Sequence, residues 1–208
     1  MEITWLGHAC FKISHEGYSV VIDPYQGRAV GGYPELHVDA DAVLVSHEHH
    51  GHNCREAVNL SGTSRPCPFE VEQVHTFHDT SWGLVRGANT IHIIKWDGFK
   101  IVHMGDFGCL LTDNEKFELM GADVLMIACG GFRAMPSAYT KPLADELCAN
   151  VVIPMHYAHG KFGSRRYERL EAFTDQYAPL PLVKKYDTNT ITISHDTPEQ
   201  VAVLKYMG

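Results

Sequence analysis

The sequence predicts an α/β (α+β) fold in which two mixed β-sheets pack face to face, with helices on the outside. Two observations predict it. Short strand-like runs come first as meanders, and later apolar runs alternate with helical segments. This order repeats loosely in the two halves of the chain, which favours two packed sheets over one. The length of 208 residues favours a single domain over residues 1–208.

The first part of the chain contains four predicted strands, at residues 3–6, 10–13, 19–22 and 43–45. Glycines mark residues 27–33 as a loop. A helix is predicted over 54–60, because Asn53 can cap its N terminus. Residues 61–68 are rich in turn formers and predict a second loop.

The second part begins with predicted strands at 71–77, 90–96 and 100–104, and Asp97-Gly98 is a favourable hairpin turn between the last two. Apolar runs at 123–128 and 151–155 predict buried strands on either side of a helix at 141–149. Residues 164–177 predict an amphipathic helix, since Tyr167, Leu170, Phe173 and Tyr177 share one face. Two weaker strands follow at 190–194 and 200–206.

Composition limits the classes of function. A net charge of -8 argues against nucleic-acid binding. No run of 18 apolar residues predicts a membrane span. The first residues enter a strand-like run without the features of a signal peptide, so we expect a cytoplasmic protein with reduced cysteines. Fourteen histidines indicate metal or proton chemistry. The expected partner, which composition does not itself define, is a small-molecule substrate, and oligomer formation stays open.

The densest histidine cluster is the segment SHEHHGHN at residues 46–53. His47, His49, His50 and His52 fall within six residues, directly after an apolar run. Neutral imidazole is a preferred ligand of zinc and of other divalent first-row metals. The alternative is a surface cluster with adventitious metal affinity, but further candidate ligands follow downstream.

Other polar side chains stand at the ends of predicted strands. They are Asp23, His78, Asp79, His103, Asp106 and His156. A lone histidine at such a place is commonly a hydrogen-bonded core residue. The cluster at 46–53 favours metal ligation for His78 and His156, because loop ends of packed sheets converge in space.

Together these residues resemble the metallo-β-lactamase superfamily, whose signature is H-x-H-x-D-H, then a distant His, a bridging Asp and a final His. The matching positions are His47, His49, His52, His78, Asp106 and His156, with Asp23 as the structural aspartate. The motifs WLGH at 5–8, IDP at 22–24 and HMGD at 103–106 are similar to the small cytosolic lactonase-like branch. The resemblance implies a four-layer αββα sandwich, and a hydrolase in which a metal-bound hydroxide attacks a small lactone, ester or phosphodiester.

The resemblance also implies two metal sites. The first would use His47, His49, His78 and Asp106, and the second His52, His156 and the shared Asp106. Gly51 stands where the signature has its aspartate, so we expect one tight Zn²⁺ and a second that is weak or absent. Mn²⁺ or Fe²⁺ is possible in its place. His50 either substitutes for the missing ligand or faces solvent.

Further roles follow from position. Asp106 would position both metal and nucleophile, while His8 or His103 either donates a proton to the leaving group or is a structural imidazole. Asp23 would orient a ligand loop, and Asp79 is either a neighbour of the site or a turn residue.

The substrate candidates follow the last ligand. They are Tyr157 and His159 at the cleft mouth, and Lys161, Arg165 and Arg166, which either bind a phosphate or carboxylate or form a solvated helix face. Two alternatives to hydrolysis stay open: a non-catalytic metal-binding or regulatory protein, and a redox enzyme with an iron or manganese site.

Overall fold

The computed structural model describes residues 1–62 and 65–208, and two large β-sheets form its centre. The first sheet has five strands in the order β13-β1-β2-β3-β5. Its strands are β1 (Glu2–Gly7), β2 (Cys10–His15), β3 (Tyr18–Ile22), β5 (Ala42–Leu44) and β13 (Thr190–Thr192). A small separate sheet pairs β4 (Val38–Ala40) with β6 (Val58–Leu60).

The second large sheet has seven strands in the order β12-β14-β11-β10-β9-β8-β7. They are β7 (Glu70–Phe77), β8 (Ala88–Trp96), β9 (Phe99–His103), β10 (Val124–Ala128), β11 (Val151–Met155), β12 (Val183–Lys185) and β14 (Gln200–Val203). β7, β8 and β9 pair antiparallel, and the remaining strands pair parallel. Parallel neighbours need crossover connections, which here contain the helices.

Three short helices lie in those crossovers: α1 (Asp113–Leu119), α2 (Ser137–Glu146) and α3 (Glu171–Thr174). Thr112 begins α1 with a capping box, in which its side chain accepts from the Glu115 amide and the Glu115 side chain accepts from the Thr112 amide. None of the helices within the described residues is both long and apolar enough to cross a bilayer.

One apolar core joins the two large sheets. It contains Ile3 and Phe11 from the first sheet together with Ile91 and Ile127 from the second. In β1 the buried positions alternate, as expected for a strand with one face on the core. Burying each such side chain stabilises the fold by about 1.5–3 kcal/mol. The predicted pair of mixed sheets with helices outside is confirmed.

Two predicted helices are wrong. Residues 54–60 form a 3₁₀ turn (Arg55–Ala57) followed by β6, because Val58 pairs with Val38. Asn53 does not cap a helix there, and its side chain donates to Glu48.

Residues 164–177 are helical only over α3 and the 3₁₀ turn Asp175–Tyr177. The backbone before α3 forms long-range hydrogen bonds in place of helical ones. The Glu168 amide donates to the Gly130 carbonyl, and the Glu168 carbonyl accepts from the Ala158 amide.

Smaller differences concern boundaries and missed elements. The helix predicted at 141–149 begins earlier, at Ser137, and includes Pro142. The sequence patterns did not predict α1, β4, β6 or β12. The hairpin turn at Asp97-Gly98 is confirmed, because Trp96 pairs with Phe99 across it. The predicted loop at 61–68 includes Thr63 and Ser64, which lie outside the described residues.

Candidate metal centre

The histidine-rich loop directly follows β5 and is folded back on itself. Backbone amides of His52 and Asn53 both donate to the carbonyl of His49, at 2.8 and 3.1 Å. On its outer side, Glu48 accepts two hydrogen bonds from the Arg55 guanidinium. This tight turn buries His47 and His52 and leaves His49 partly exposed.

Asp23, at the end of β3, holds both ends of this loop. Its carboxylate accepts from the Ser46 amide at 2.7 Å, from the Ser46 hydroxyl at 2.6 Å and from Nδ1 of His52 at 2.9 Å. Burial alone would raise the pKa of Asp23. The hydrogen bond from His52 and its charge have a larger, opposite effect, so the pKa of Asp23 lies below its usual value. The charged carboxylate therefore orients the ligand loop without facing the cleft.

Ser46 extends this orientation to His47. Its hydroxyl donates to Asp23 and lies 2.9 Å from Nδ1 of His47, which therefore carries the proton. Nε2 of His47 is left as a buried lone pair without a hydrogen-bond partner. Burial and the nearby charge of His52 lower the pKa of His47 to about 3, so this lone pair persists at neutral pH.

Six histidines converge in two groups of three. Nitrogens of His47, His49 and His78 lie within 4.8 Å of one another, and so do nitrogens of His8, His52 and His156. His78 follows β7, His156 follows β11, and His8 lies in the turn between β1 and β2. The loops at one edge of the two sheets thus supply all six imidazoles.

Asp106 lies between the two groups. Its Oδ2 is 3.0 Å from Nε2 of His156, 3.1 Å from Nε2 of His52 and 3.4 Å from Nε2 of His78. The Asp106 amide donates to Oδ1 of Asn89, a residue to which the sequence analysis gave no role in the site. A Cβ at Gly105, where φ is +58°, would collide with that same Asn89 oxygen, so glycine is required there.

These side chains fit a metal cation. Buried polar atoms nearly always have a hydrogen-bond partner. In this cluster several have no hydrogen-bond partner among the described residues: His47 Nε2, both nitrogens of His78, Asp106 Oδ1 and His156 Nδ1. Burial lowers the pKa of His52, but the charges of Asp106 and Asp23 raise it to about 10. The field of the two carboxylates therefore favours positive charge at this point, and imidazole with carboxylate is a donor set suited to zinc and other first-row dications.

Comparison with known proteins decides the family. Residues 2–156 match the family model of the β-lactamase superfamily domain. The chain belongs to this family. Within it, the chain groups with metal-dependent hydrolases.

Two relatives illustrate how far the likeness extends. A metal-dependent hydrolase of Methanopyrus kandleri is 26% identical, with 76% of this chain and 84% of that protein covered. A crystal structure from Thermotoga maritima, described as a Zn-dependent hydrolase of the metallo-β-lactamase superfamily, is 30% identical. It superposes with a TM-score of 0.75, and covers 98% of this chain and 97% of its own. The fold of the family is therefore shared over nearly the whole chain.

For His103 the sequence left open whether the side chain donates a proton or is a structural imidazole. It is fully buried, its Nε2 donates to the carbonyl of Ala9 at 2.9 Å, and its Nδ1 accepts from the amide of Gly105 at 3.2 Å. Both nitrogens are thus used by backbone groups. The structure favours the structural imidazole.

For Asp79 the sequence left two alternatives open, a neighbour of the site or a turn residue, and its contacts favour the turn residue. Its two oxygens accept four backbone amides of its own loop, from Ser81, Gly83, Val85 and Arg86. Burial raises the pKa of this carboxyl, but the four amides lower it below its usual value. Asp79 therefore organises residues 79–87 and brings the Arg86 backbone to the cleft.

The expected substrate residues do not line the cleft that contains the histidine cluster, which has a volume of about 860 Å³. Tyr157 and His159 line a neighbouring cavity beside Trp5, and Arg165 and Arg166 lie outside both. His50 lies at the cleft but is exposed, which agrees with the solvent-facing alternative.

The cleft is lined instead by side chains that the sequence analysis did not assign to it. Arg86, Arg133, Phe132 and Tyr167 form its walls. Within residues 1–62 and 65–208, no carboxylate lies at ion-pair distance from the Arg86 or Arg133 guanidinium. Tyr167 lies against His156, with ring centroids 4.5 Å apart, and burial raises its pKa to about 12. The residues that line the walls thus include two arginines without a carboxylate at ion-pair distance among the described residues, and a protonated phenol.

Proposed function

We propose that this chain hydrolyses a small lactone, ester or phosphodiester that carries an anionic group, using cations held by the histidine cluster. The proposed ligands are His47, His49, His78, His52, His156 and Asp106. The observation that carries the proposal is the convergence of two histidine groups on Oδ2 of one buried carboxylate, among polar atoms that lack hydrogen-bond partners.

Zinc is the proposed metal, with one tight site and a second, weaker one. Three imidazoles and a carboxylate form a donor set that zinc accepts readily. The Zn-dependent description of the Thermotoga relative supports this choice. Metal analysis of protein from growth without metal restriction tests it, and iron or manganese at one equivalent or more would support the redox alternative.

A dication bound here supplies a water that is acidic enough to act as a nucleophile near neutral pH, and polarises the oxygen of the scissile group. The chain's own residues supply the rest. Asp106 orients its three histidine neighbours through Oδ2, and Asn89 and Gly105 fix its backbone.

Arg86 and Arg133 are proposed to bind the anionic part of the substrate. Guanidinium groups form strong charge-assisted hydrogen bonds with phosphate and carboxylate, and these two have no competing carboxylate among the described residues. Tyr167 keeps its proton at neutral pH and can donate a hydrogen bond to a substrate oxygen at the cleft wall.

The test is a panel of lactones, carboxylic esters and phosphodiesters, with and without an added anionic group, assayed on zinc-loaded protein. His49→Ala should lose at least about 100-fold in turnover, because a ligand is removed. His75→Ala is the matched control, since His75 is an exposed histidine on β7 away from the cleft. Full turnover by His49→Ala would overturn the site. Metal binding with no turnover on any substrate would support the non-catalytic alternative.

A further inference from the structure

The second group of histidines lacks the aspartate of the H-x-H-x-D-H signature, because residue 51 is glycine and has no side chain that could bind a metal. A Cβ built on Gly51 would lie 3.2 Å from Nε2 of His8 and 3.4 Å from Cγ2 of Val30. The space that a side chain at position 51 would enter therefore already has an imidazole nitrogen at its end. That nitrogen comes from a turn 43 residues earlier in the chain.

His8 is held firmly in this position by its backbone. Its carbonyl accepts from the Trp5 indole at 3.0 Å and from the His156 amide at 3.2 Å. Its φ of +53° is uncommon for a residue with a side chain, and His156 has a similar φ of +57°. Such backbone conformations cluster at functional sites, where the surrounding structure enforces them.

The His8 ring lies against the rings of His52 and His156, and it also packs near the rings of Tyr33 and Tyr167. Its centroid lies 4.1 Å from that of His156 and 4.9 Å from that of His52. His8 is 3% exposed and lines the cleft that contains the histidine cluster. Across residues 1–62 and 65–208, neither ring nitrogen of His8 forms a hydrogen bond, so a lone pair is available.

We propose that His8 is a metal ligand that replaces the side chain absent at Gly51. With His52, His156 and the shared Asp106, it completes a second cation site of three imidazoles and one carboxylate. The first site, at His47, His49 and His78, has the same donors. This inference rests on the proposed function and assigns His8 a different task from proton donation.

The competing substitute, His50, is not placed for this task. Its side chain is exposed, and it belongs to neither convergent histidine group within the described residues. The two sites together then use six neutral imidazoles and one carboxylate. We expect the second site to bind less tightly than one that has the motif aspartate at position 51, because a neutral ligand stabilises a dication less than a carboxylate does.

The experiment counts metal rather than turnover. Metal-free wild type, His8→Ala and His8→Asn are titrated with Zn²⁺ by calorimetry and with Co²⁺ by visible absorption, and bound metal is measured after dialysis. Wild type should bind two equivalents. Both variants should keep the first, with the affinity of the second falling at least about 100-fold. Asn tolerates a positive φ, so His8→Asn separates loss of a ligand from loss of the turn.

Two further variants sharpen the result. His92→Gln is the matched control, since His92 is a buried histidine whose Nε2 bonds to the carbonyl of Val45, and it should keep two equivalents. The double variant His8→Ala with Gly51→Asp should regain the second equivalent, because removal of the imidazole makes room for a carboxylate beside His52 and His156.

Unchanged binding of two equivalents by both His8 variants would overturn the proposal while leaving the proposed function intact. A single equivalent in wild type that persists in the variants would also overturn it. Wild type that binds no metal would instead overturn the proposed function itself.

Discussion

Nδ1 of His52 donates to Oδ2 of Asp23 at 2.9 Å, while Nε2 of the same ring lies 3.1 Å from Oδ2 of Asp106. Asp23 thus fixes both the tautomer and the orientation of the ring without entering the cleft. Carboxylates placed behind metal-binding histidines commonly raise ligand basicity and affinity in this way.

Asp23→Asn should lower zinc affinity by about 10–100-fold. The amide NH₂ would face the Ser46 and His52 donors, so it cannot replace the carboxylate as an acceptor. Competition with a chromogenic chelator measures the affinity. Asp39→Asn is the control, because Asp39 is exposed and its carboxylate accepts from the Asn59 side chain, away from the histidine cluster. Equal affinities in the two variants would contradict the orienting role.

Metal removal should destabilise the fold. A ligand that binds only the native state adds about 4 kcal/mol when its concentration is about 1,000 times its Kd. In a chain of this size, chelation should therefore lower Tm by roughly 8–16 °C, and zinc should restore it. Differential scanning calorimetry measures the shift. His49→Ala should show a smaller shift, and the same shift in both proteins would place the metal elsewhere.

Arg86→Ala and Arg133→Ala should each raise KM about 10–100-fold for substrates with a phosphate or carboxylate, and leave KM for neutral substrates nearly unchanged. The effect should weaken at high salt, because screening reduces the attraction. Steady-state kinetics on matched charged and neutral substrates checks it. Arg165→Ala, which removes an exposed arginine outside the cleft, should change neither KM.

Asp79→Ala should loosen residues 79–87 without removing metal. Hydrogen exchange at the amides of Ser81, Gly83, Val85 and Arg86 should accelerate, since each donates to this carboxylate. KM should rise with the displacement of Arg86. Asp196→Ala, an exposed aspartate far along the chain, is the control. Slow exchange retained in Asp79→Ala would refute the organising role.

The same loop should respond to acid in a defined direction. The folded pKa of Asp79 is lowered from its ordinary value of 3.8. Its contribution to stability is therefore complete above that value and is lost as the pH falls through the lower folded pKa. Hydrogen exchange of the four amides, compared at pH 5 and at about pH 3, would show protection decreasing only at the lower pH.

Local patterns predicted the parts of the site that local structure determines. The 46–53 cluster, Asp23 and Asp106, and the histidines after β7 and β11 could all be noticed because each lies within a few residues of the end of a strand. Two mixed sheets also followed from the order of strands and helices. These features depend on periodicity and on chain neighbours, which a sequence displays.

The cleft walls could not be predicted in the same way. Tyr167 looked like one residue of an amphipathic helix, but the backbone around it pairs with Gly130 and Ala158 and carries the ring to His156. Arg86 lines the cleft because the Asp79 carboxylate accepts backbone hydrogen bonds from its own loop and fixes the loop's path. Val58 joined a strand because Val38 was nearby in space. Each case depends on long-range pairing that outweighs local propensity.

The closed geometry of residues 79–87 has a consequence for evolution. Asp79 uses both oxygens on amides of its own segment, so the segment carries its own scaffold, with Trp82 and Leu84 exposed on its outer side. Such a module can be exchanged for one of other size or charge while the histidines beneath stay in place. Changes of size or charge in this segment can therefore alter the cleft wall at Val85 and Arg86 without moving the histidine cluster.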